Sequence, residues 1–361
     1  MKINNLPSII ILIFASACFI GEELPPDQSP WSYDSPSNVG LSEQSLLDLD
    51  DAINVGSFDP VRSMLIIKDE QLVFENYYGA DSRQTIRNIG RTTPLITILA
   101  LGILHTEGTI PDLDERISVL IPENYANLLT GLKQEITLRH LLLQQSGLSW
   151  NETVFGGGLN NAENDLNLLL ASPDPIDFLL EKPLEAQPGT RFSYNTGASL
   201  LLAEIIEFSS GMPFQEFVAE RIFQPLNIST IEWSLDRRSK VNAATGLSIS
   251  SLDLCKLGFL FLNQGIWKGE EIIAESWVNQ STATQVEISN SFNFGYYWQT
   301  LSDNLDFIPL GDPNDAYFFS QHLYVQPSQN LVITFGTEEE FLNTISSPLL
   351  LYREIITPLV L

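Results

Sequence analysis

The hydrophobic positions along the chain predict strands near both ends and helices between them. Four runs rich in Ile, Val, Leu and aromatic residues have the length and composition of strands: 62–68, 71–78, 323–326 and 330–335. Asp69 and Glu70 separate the first two runs and predict a tight hairpin turn. Pro327–Gln329 joins the last two.

Apolar residues at helical spacing predict helices in the rest of the chain. The predicted helices cover 42–53, 92–107, 137–143, 199–208, 213–222, 252–262 and 338–356. The helix at 92–107 is strongly apolar, with Pro94 suited to its first turn and Gly108 to its end.

This order of elements predicts an α+β fold with three α/β/α layers. One antiparallel sheet would be built from both chain ends, from 58–80 and 315–337, with a helical region inserted at about 90–290. Helices from both ends would cover the sheet. The folded domain would span 41–361.

The first residues are typical of an export signal. Lys2 supplies a positive charge, an apolar run follows, and small residues end it, so 1–17 is predicted to be a signal peptide. Cys18 comes next, which resembles the lipidation site of a bacterial lipoprotein, and 18–40 would then be an anchor and a Pro-rich tether. Ordinary cleavage after Ala17 is the alternative. The predicted location is the periplasm or cell envelope, with membrane attachment through the lipid.

Composition narrows the function classes. With 44% hydrophobic and 17% charged residues, the chain of 361 residues has the balance of a globular protein. A net charge of −27 with scattered basic residues argues against nucleic-acid binding. Apart from Cys18, Cys255 is the only cysteine, and its place in an apolar helix predicts a buried, inert thiol.

Several segments, in order and at matching spacing, resemble the serine β-lactamase-like family, which includes class C β-lactamases, D-alanyl-D-alanine carboxypeptidases and related esterases. They run ITLRHLLLQQSGL at 136–148, PGTRFSYN at 188–195, FQPL at 223–226 and SLDLCKLGFLFLNQGIWKG at 251–269. The resemblance extends over about 42–356 and implies a β-lactamase/transpeptidase-like fold. It also implies a serine hydrolase ancestry.

The family's chemistry uses Ser-x-x-Lys at the start of a helix, where the lysine lies one turn from the serine and takes its proton. In the matching stretch of this chain, Arg91 stands at the serine position and Pro94 at the lysine position. Neither residue can act as nucleophile or base. No lysine in the chain follows a serine by three residues. A slip in register that makes Thr92 or Thr93 the nucleophile is the alternative, although neither has a lysine one turn along.

The other two family elements are altered as well. Tyr194 matches the tyrosine of the family's Tyr-x-Asn loop, but Thr196 stands in place of the asparagine, and a structural hydrogen-bonding role for Tyr194 is favoured. Where relatives have a glycine-rich run before the penultimate strand, this chain has Phe319 and Ser320, followed by Gln321. A phenylalanine there would crowd the sheet edge on which a substrate lies.

The resemblance and its departures predict a non-catalytic envelope protein with a binding or scaffolding role. The alternative is a hydrolase of ester, amide or peptide bonds with an atypical nucleophile. Arg91, Tyr194 and Gln321 are the candidates for binding a small acidic or peptide-like ligand in the former active-site cleft. The competing interpretation of Arg91 is a salt bridge to one of the chain's own 45 acidic residues.

The sequence offers no pattern for a metal or another cofactor. The three histidines, His105, His140 and His322, lack metal-ligand spacing, and no phosphate-binding glycine loop is present. The prediction is therefore of a protein without a cofactor.

Overall fold

Fourteen short or medium strands lie in the parts of the chain that the structure describes. The computed structural model describes residues 9–13, 29–57, 61–152, 164–288, 292–301, 307–309 and 321–337. The strands are β1 Ile9–Ile13, β2 Val61–Lys68, β3 Gln71–Tyr77, β4 Ile86–Asn88, β5 Thr230–Ser234, β6 Leu247–Ser250, β7 Ile266–Trp267, β8 Glu270–Glu271, β9 Val286–Glu287, β10 Phe292–Phe294, β11 Trp298–Leu301, β12 Phe307–Pro309, β13 Gln321–Gln326 and β14 Leu331–Thr337.

The main sheet has eight strands in the order β3-β2-β14-β13-β12-β11-β10-β9, with every neighbouring pair antiparallel. Strands from both chain ends pair directly within it, where Ile333 of β14 lies opposite Ile66 of β2. The predicted sheet from both ends is therefore confirmed. Strands β9–β12 extend it further than the sequence pattern predicted, because they are two to four residues long and carry little periodic signal.

The predicted hairpin is also confirmed. Asp69 and Glu70 both have positive φ, 50° and 62°. Positive φ at both central residues is what a two-residue turn between twisted strands requires. A second sheet, in the order β1-β5-β6-β4, was not predicted.

Ten α-helices lie in the described part of the chain. They are α1 Glu43–Asn54, α2 Pro94–Thr106, α3 Glu123–Ala126, α4 Leu138–Leu142, α5 Asp165–Ala171, α6 Pro175–Glu181, α7 Ala198–Ser210, α8 Phe214–Val218, α9 Ser251–Leu262 and α10 Glu275–Thr282. A 3-10 turn, Gly90–Thr92, precedes α2, and α8 continues as a π-helical turn over Ala219–Phe223. The predicted helix at 338–356 lies outside the described residues. No described helix has the length and apolar character needed to cross a bilayer.

Helices cover both faces of the main sheet, which confirms the three-layer α+β prediction. On one face, Leu46, Leu49 and Ile53 of α1 join a cluster with Ile66 and Phe335 of the strands. On the other face, α9 packs against β2, β13 and β14, and its core continues into α2 and the helical region.

The helix α9 also holds Cys255, which is fully buried with its Sγ 3.2 Å from Thr334 Oγ1. Burial raises the pKa of the Cys255 thiol to about 12. The prediction of a buried, inert thiol is confirmed.

The folded domain begins earlier than residue 41, and the predicted tether must be shortened accordingly. Trp31 is buried and packs edge-on against Phe259 and Trp267, with ring centroids 5.6 and 5.5 Å apart. Tyr33 forms a parallel bridge with Leu72 along the outer edge of β3. The sequence did not predict this packing, because the segment is rich in Pro and Ser and a single tryptophan, Trp31, anchors it.

Candidate functional site: a closed cleft

The 3-10 turn before α2 places Arg91 beside the first residue of β13. Gly90 has a φ of 51° and its N–H donates to Asn88 Oδ1 at 2.7 Å, which fixes the approach to the helix. The side-chain amide of Gln321 donates to the carbonyl oxygens of Arg87, at 3.1 Å, and Ile249, at 2.6 Å. Strands β4, β6 and β13 are thus tied together next to the position where the family carries its serine.

The loop that carries Tyr194 is held by the segment 144–148. Gln144 accepts from the backbone N–H of Asn195 through its Oε1 at 2.6 Å and from that of Ser193 through its carbonyl at 2.8 Å. Gly147 has a φ of 77°, and a Cβ there would lie 2.3 Å from the carbonyl oxygen of Ala186. Glycine is therefore required for this close approach, which explains the Ser-Gly-Leu pattern in this chain.

The side chain of Arg91 does not face open solvent but ends in an internal ion pair. Arg91 Nη2 lies 3.0 Å from Glu152 Oε1, and the two side chains are 3% and 2% exposed. The Arg91 guanidinium also lies over the ring of Tyr194, with Cζ 5.0 Å from the ring centroid. Of the two interpretations of Arg91 drawn from the sequence, the structure contains the salt bridge.

The Glu152 carboxylate is the centre of this network. Besides Arg91, its Oε2 accepts from Trp150 Nε1 at 2.7 Å and from the backbone N–H of Thr196 at 2.8 Å. Its Oε1 accepts from the hydroxyl of Thr196 at 2.6 Å. A carboxylate has about four acceptor positions, so the donors around Glu152 match its capacity.

The hydroxyl of Thr196 is the donor in two contacts of this network. Its Oγ1 lies 2.6 Å from Glu152 Oε1 and 2.9 Å from the hydroxyl oxygen of Tyr194, which accepts. Because the hydroxyl carries a single hydrogen, the two acceptors share it. Tyr194 thus belongs to the same network as Glu152, and the structural role that the sequence favours for it stays a prediction.

The two threonines of the alternative register are buried and lie in the helix start. Thr93 is fully buried, and its Oγ1 accepts from the N–H of Leu247 at 3.4 Å. Of the six lysines in the described ranges, Lys268 lies in the turn between β7 and β8. The other five have partners elsewhere: Asp69 for Lys68, the carbonyl of Leu180 for Lys133, Asp165 for Lys182, Glu204 and Glu207 for Lys240, and Asp253 for Lys256. Nothing in this geometry activates either threonine.

The three ligand-binding candidates differ in their access to solvent. Arg91 and Gln321 are buried, at 4% and 0% exposure, while Tyr194 is partly exposed. Arg91 and Gln321 are therefore enclosed in this structure, and ligand binding by the three residues stays a prediction. Phe319 and Ser320 lie outside the described residues.

Glu152 and Trp150 were missed as site residues. The signal was available, since Trp150-Asn151-Glu152 follows the Ser-Gly-Leu segment directly, and a buried arginine needs a carboxylate partner. The sequence could not show that Glu152 lies within contact distance of Arg91 across the cleft. Tyr297 was missed as well: it is buried near Gln144 and Glu152, and burial raises its pKa well above the ordinary value.

The histidines take structural positions. His105 Nδ1 lies 2.8 Å from the carbonyl oxygen of Ile110 at the end of α2. His140 closes the first turn of α4 by accepting from the N–H of Thr137, and burial lowers its pKa. No group of three or more His, Cys, Asp or Glu residues in the described ranges is arranged to hold a metal ion.

Comparisons with known proteins agree on the fold. A model of the Beta-lactamase family matches residues 60–342. Among curated proteins, a D-aminopeptidase of Cereibacter sphaeroides is 28% identical over 233 residues, covering 59% of this chain and 42% of the relative. Monacolin J acid methylbutanoyltransferase of Aspergillus terreus is 27% identical over 266 residues, covering 66% of this chain and 60% of the relative. The chain spans about half the length of the curated relatives it matches.

Solved structures extend the likeness to nearly the whole chain. The penicillin-binding protein of Bacillus halodurans superposes with a TM-score of 0.61 at 15% identity, covering 88% of this chain and 98% of that one. A penicillin-binding protein homologue of Pyrococcus abyssi gives 0.59 at 19% identity, covering 82% and 74%. At these identities the likeness concerns the fold.

Proposed function

The chain belongs to the Beta-lactamase family, and from that premise we propose that it is a non-catalytic member with a binding or scaffolding role in the cell envelope. One observation carries the proposal. The residue at the nucleophile position is an arginine, and it is closed into a buried ion pair with Glu152. The resulting network fills the place where an acyl-enzyme would form.

The chemistry of acyl transfer explains why this matters. A family hydrolase needs an oxygen nucleophile, a base next to it and room for a tetrahedral intermediate. Arg91 and Pro94 supply neither the oxygen nor the base. Within the described part of the cleft, the one hydroxyl bonded to a carboxylate, that of Thr196, is fully buried. The Glu152 carboxylate already accepts from Arg91, Trp150 and Thr196, so it has no position left to take a proton from a substrate.

The alternative remains hydrolysis of an ester, amide or peptide bond by an atypical nucleophile, as the names of the relatives suggest. Thr196 is the residue that this alternative would need, because its hydroxyl contacts both Glu152 and Tyr194. A substrate would reach it only after the Arg91–Glu152 pair opened.

Covalent labelling separates the two. Purified protein, shown to be folded by its cooperative unfolding, is incubated with a fluorophosphonate and with a fluorescent penicillin, and its intact mass is measured. An active D-aminopeptidase of the family is labelled in parallel as the positive control. We expect no adduct on this chain. A stoichiometric adduct would overturn the proposal, and loss of that adduct in Thr196→Ala but not Thr92→Ala would identify Thr196 as the nucleophile.

The envelope location is part of the same proposal and rests on the sequence of the first 18 residues. Cells producing the protein are fed an alkyne analogue of palmitate, and the purified protein is tested for label. Cys18→Ser should abolish labelling. Cys255→Ser is the matched control and should leave it unchanged, since that thiol is fully buried. Label that survives Cys18→Ser would refute lipidation at this residue.

A further inference from the structure

The donors around Glu152 are arranged as a complete receptor for one carboxylate. They comprise the guanidinium of Arg91, the indole N–H of Trp150, and both the backbone N–H and the hydroxyl of Thr196, at 2.6–3.0 Å. Charged and neutral donors converge on both oxygens. Such charge-assisted bonds are the strong class of hydrogen bond in proteins.

These donors are held in place by parts of the fold other than Glu152. The 3-10 turn anchored by Asn88 carries Arg91. Thr196 is placed by the bond from the N–H of Asn195 to Gln144 and by the start of α7, where the hydroxyl of Ser199 donates to the carbonyl of Thr196 at 2.6 Å. The backbone that carries Arg91 and Thr196 is therefore fixed by contacts other than those with the glutamate.

We propose that these four donors form a carboxylate-binding site whose resident ligand is the chain's own Glu152, and that a small monocarboxylate binds there when Glu152 is displaced or removed. The contact with Glu152 is thus autoinhibitory for anion binding. The inference rests on the proposed non-catalytic function, because a working hydrolase would reserve this space for its acyl group.

Occupancy by an internal carboxylate has a physical cause. A buried guanidinium without a partner carries a large desolvation penalty. A glutamate in the same chain avoids the entropy that a free anion loses on binding. An external carboxylate must therefore compete with a tethered one and binds weakly to the wild-type protein.

Glu152→Ala tests the proposal directly, since it removes a CH₂–COO⁻ group that matches acetate in size. Acetate is titrated while the indole N–H resonance of Trp150 is followed by NMR and the thermal midpoint is measured. We expect the resonance to move saturably toward its wild-type position, with a rise of the midpoint of about 2 °C or more at saturation. Butyrate should bind at least tenfold more weakly than acetate, because the vacated space fits two carbons.

Four comparisons make the result specific. Arg91→Met with Glu152→Ala should lose the saturable response to acetate, and chloride at equal ionic strength should not reproduce it. Wild-type protein should need at least tenfold more acetate than Glu152→Ala. Glu152→Gln keeps the side-chain volume and should show no saturable change, because its amide fills the site.

Three results would overturn the proposal. They are a folded Glu152→Ala with no response, an acetate response of equal affinity in Glu152→Gln, and Glu152→Ala that stays unfolded at every acetate concentration. The readout is independent of acyl labelling, so the failure of this inference and the failure of the proposed function are distinguishable.

Discussion

Two ion-pair networks in this molecule have opposite designs. In the cleft, one arginine meets one glutamate, both side chains are at most 3% exposed, and the remaining bonds come from neutral groups. Beside α7, Arg238 contacts Asp236 at 2.8 Å and Glu204 at 3.2 Å. Lys240 contacts the same Glu204 at 3.0 Å and Glu207 at 2.8 Å, with its side chain 35% exposed.

The difference lies in redundancy. Glu204 has two cationic partners, so the loss of one leaves it compensated, and solvent reaches the outer end of the cluster. Among the described residues, the Glu152 carboxylate has one cationic partner, Arg91, and would be left as a buried charge without it. Breaking a buried pair costs far more than breaking an exposed one. The stability of the folded protein therefore depends on the cleft. An active site, in contrast, usually lowers the stability of the protein that carries it.

Arg91→Met tests this difference between the two networks and is expected to have the largest effect. It leaves the Glu152 carboxylate buried without its cation, and we expect a loss of about 3–5 kcal/mol in the free energy of unfolding. Urea denaturation monitored by circular dichroism measures it. Arg91→Met with Glu152→Gln should recover most of the loss, because the glutamine amide still accepts from Trp150. A loss below about 1 kcal/mol for Arg91→Met would show that the cleft pair is no more important than a surface pair.

A smaller effect is expected from Thr196→Val, which removes one hydroxyl donor to Glu152 but keeps the backbone N–H. A hydrogen bond to a charged group contributes about 1.5–3 kcal/mol, and the hydroxyl oxygen of Tyr194 loses Thr196 as a donor as well. Thr196→Ser is the matched control and should stay within about 0.5–1 kcal/mol of wild type. Equal losses for valine and serine would point to packing of the methyl group.

Acid pH acts on a third position and must be separated from both networks. Burial lowers the pKa of His322 to about 4, below its ordinary value of 6.5. Between these values the unfolded chain binds a proton that the folded chain does not, so stability falls as the pH drops from about 6.5 toward about 4. A pKa difference of this size corresponds to about 3 kcal/mol over this pH range. Unfolding titrations from pH 7 to 4 measure it, and His322→Gln should flatten the slope.

The smallest effect is expected from Lys240→Met. Arg238 remains within 3.2 Å of Glu204, so the loss should be below about 1 kcal/mol, and 0.5 M NaCl should reduce it further because the site is partly exposed. Chemical denaturation at low and high salt tests both points. A salt-independent loss of several kcal/mol would mean that redundancy does not protect this cluster.

The fold was largely predictable because its long elements carry strong periodic signals. Helix α1 and the hairpin β2–β3 were predicted within one or two residues, since Ser42 caps the helix and Asp69-Glu70 separates the strands. Strands β9–β12 and the small second sheet were not predicted, because strands of two to five residues are too short to show a periodic pattern of hydrophobic positions. The helix predicted at 213–222 is found at 214–223, where its second half, Ala219–Phe223, is a π-helical turn that the sequence pattern did not distinguish.

The sequence predicted which positions line the site but not which residues contact each other there. Register with the family segments identified Arg91 and Tyr194 from the sequence alone. Choosing Glu152 among 45 acidic residues needed the contact across the cleft. The same holds for Trp31, whose burial against Phe259 and Trp267 joins residues more than 200 positions apart.

The docking of the segment before α1 has a mechanical consequence. Force applied at the N-terminal end of the chain, as tension on a surface attachment would apply it, reaches the main sheet through few contacts. They include the Trp31 ring and two backbone hydrogen bonds, from Leu72 N–H to the carbonyl of Ser32 and from Asp34 N–H to the carbonyl of Leu72. Side-chain bonds of Ser32 to Gln71 and of Tyr33 to Glu75 add to them at the same edge. We expect these contacts to break under tension before the six-residue pairing of β13 with β14, so that the segment would lengthen while the core stays folded.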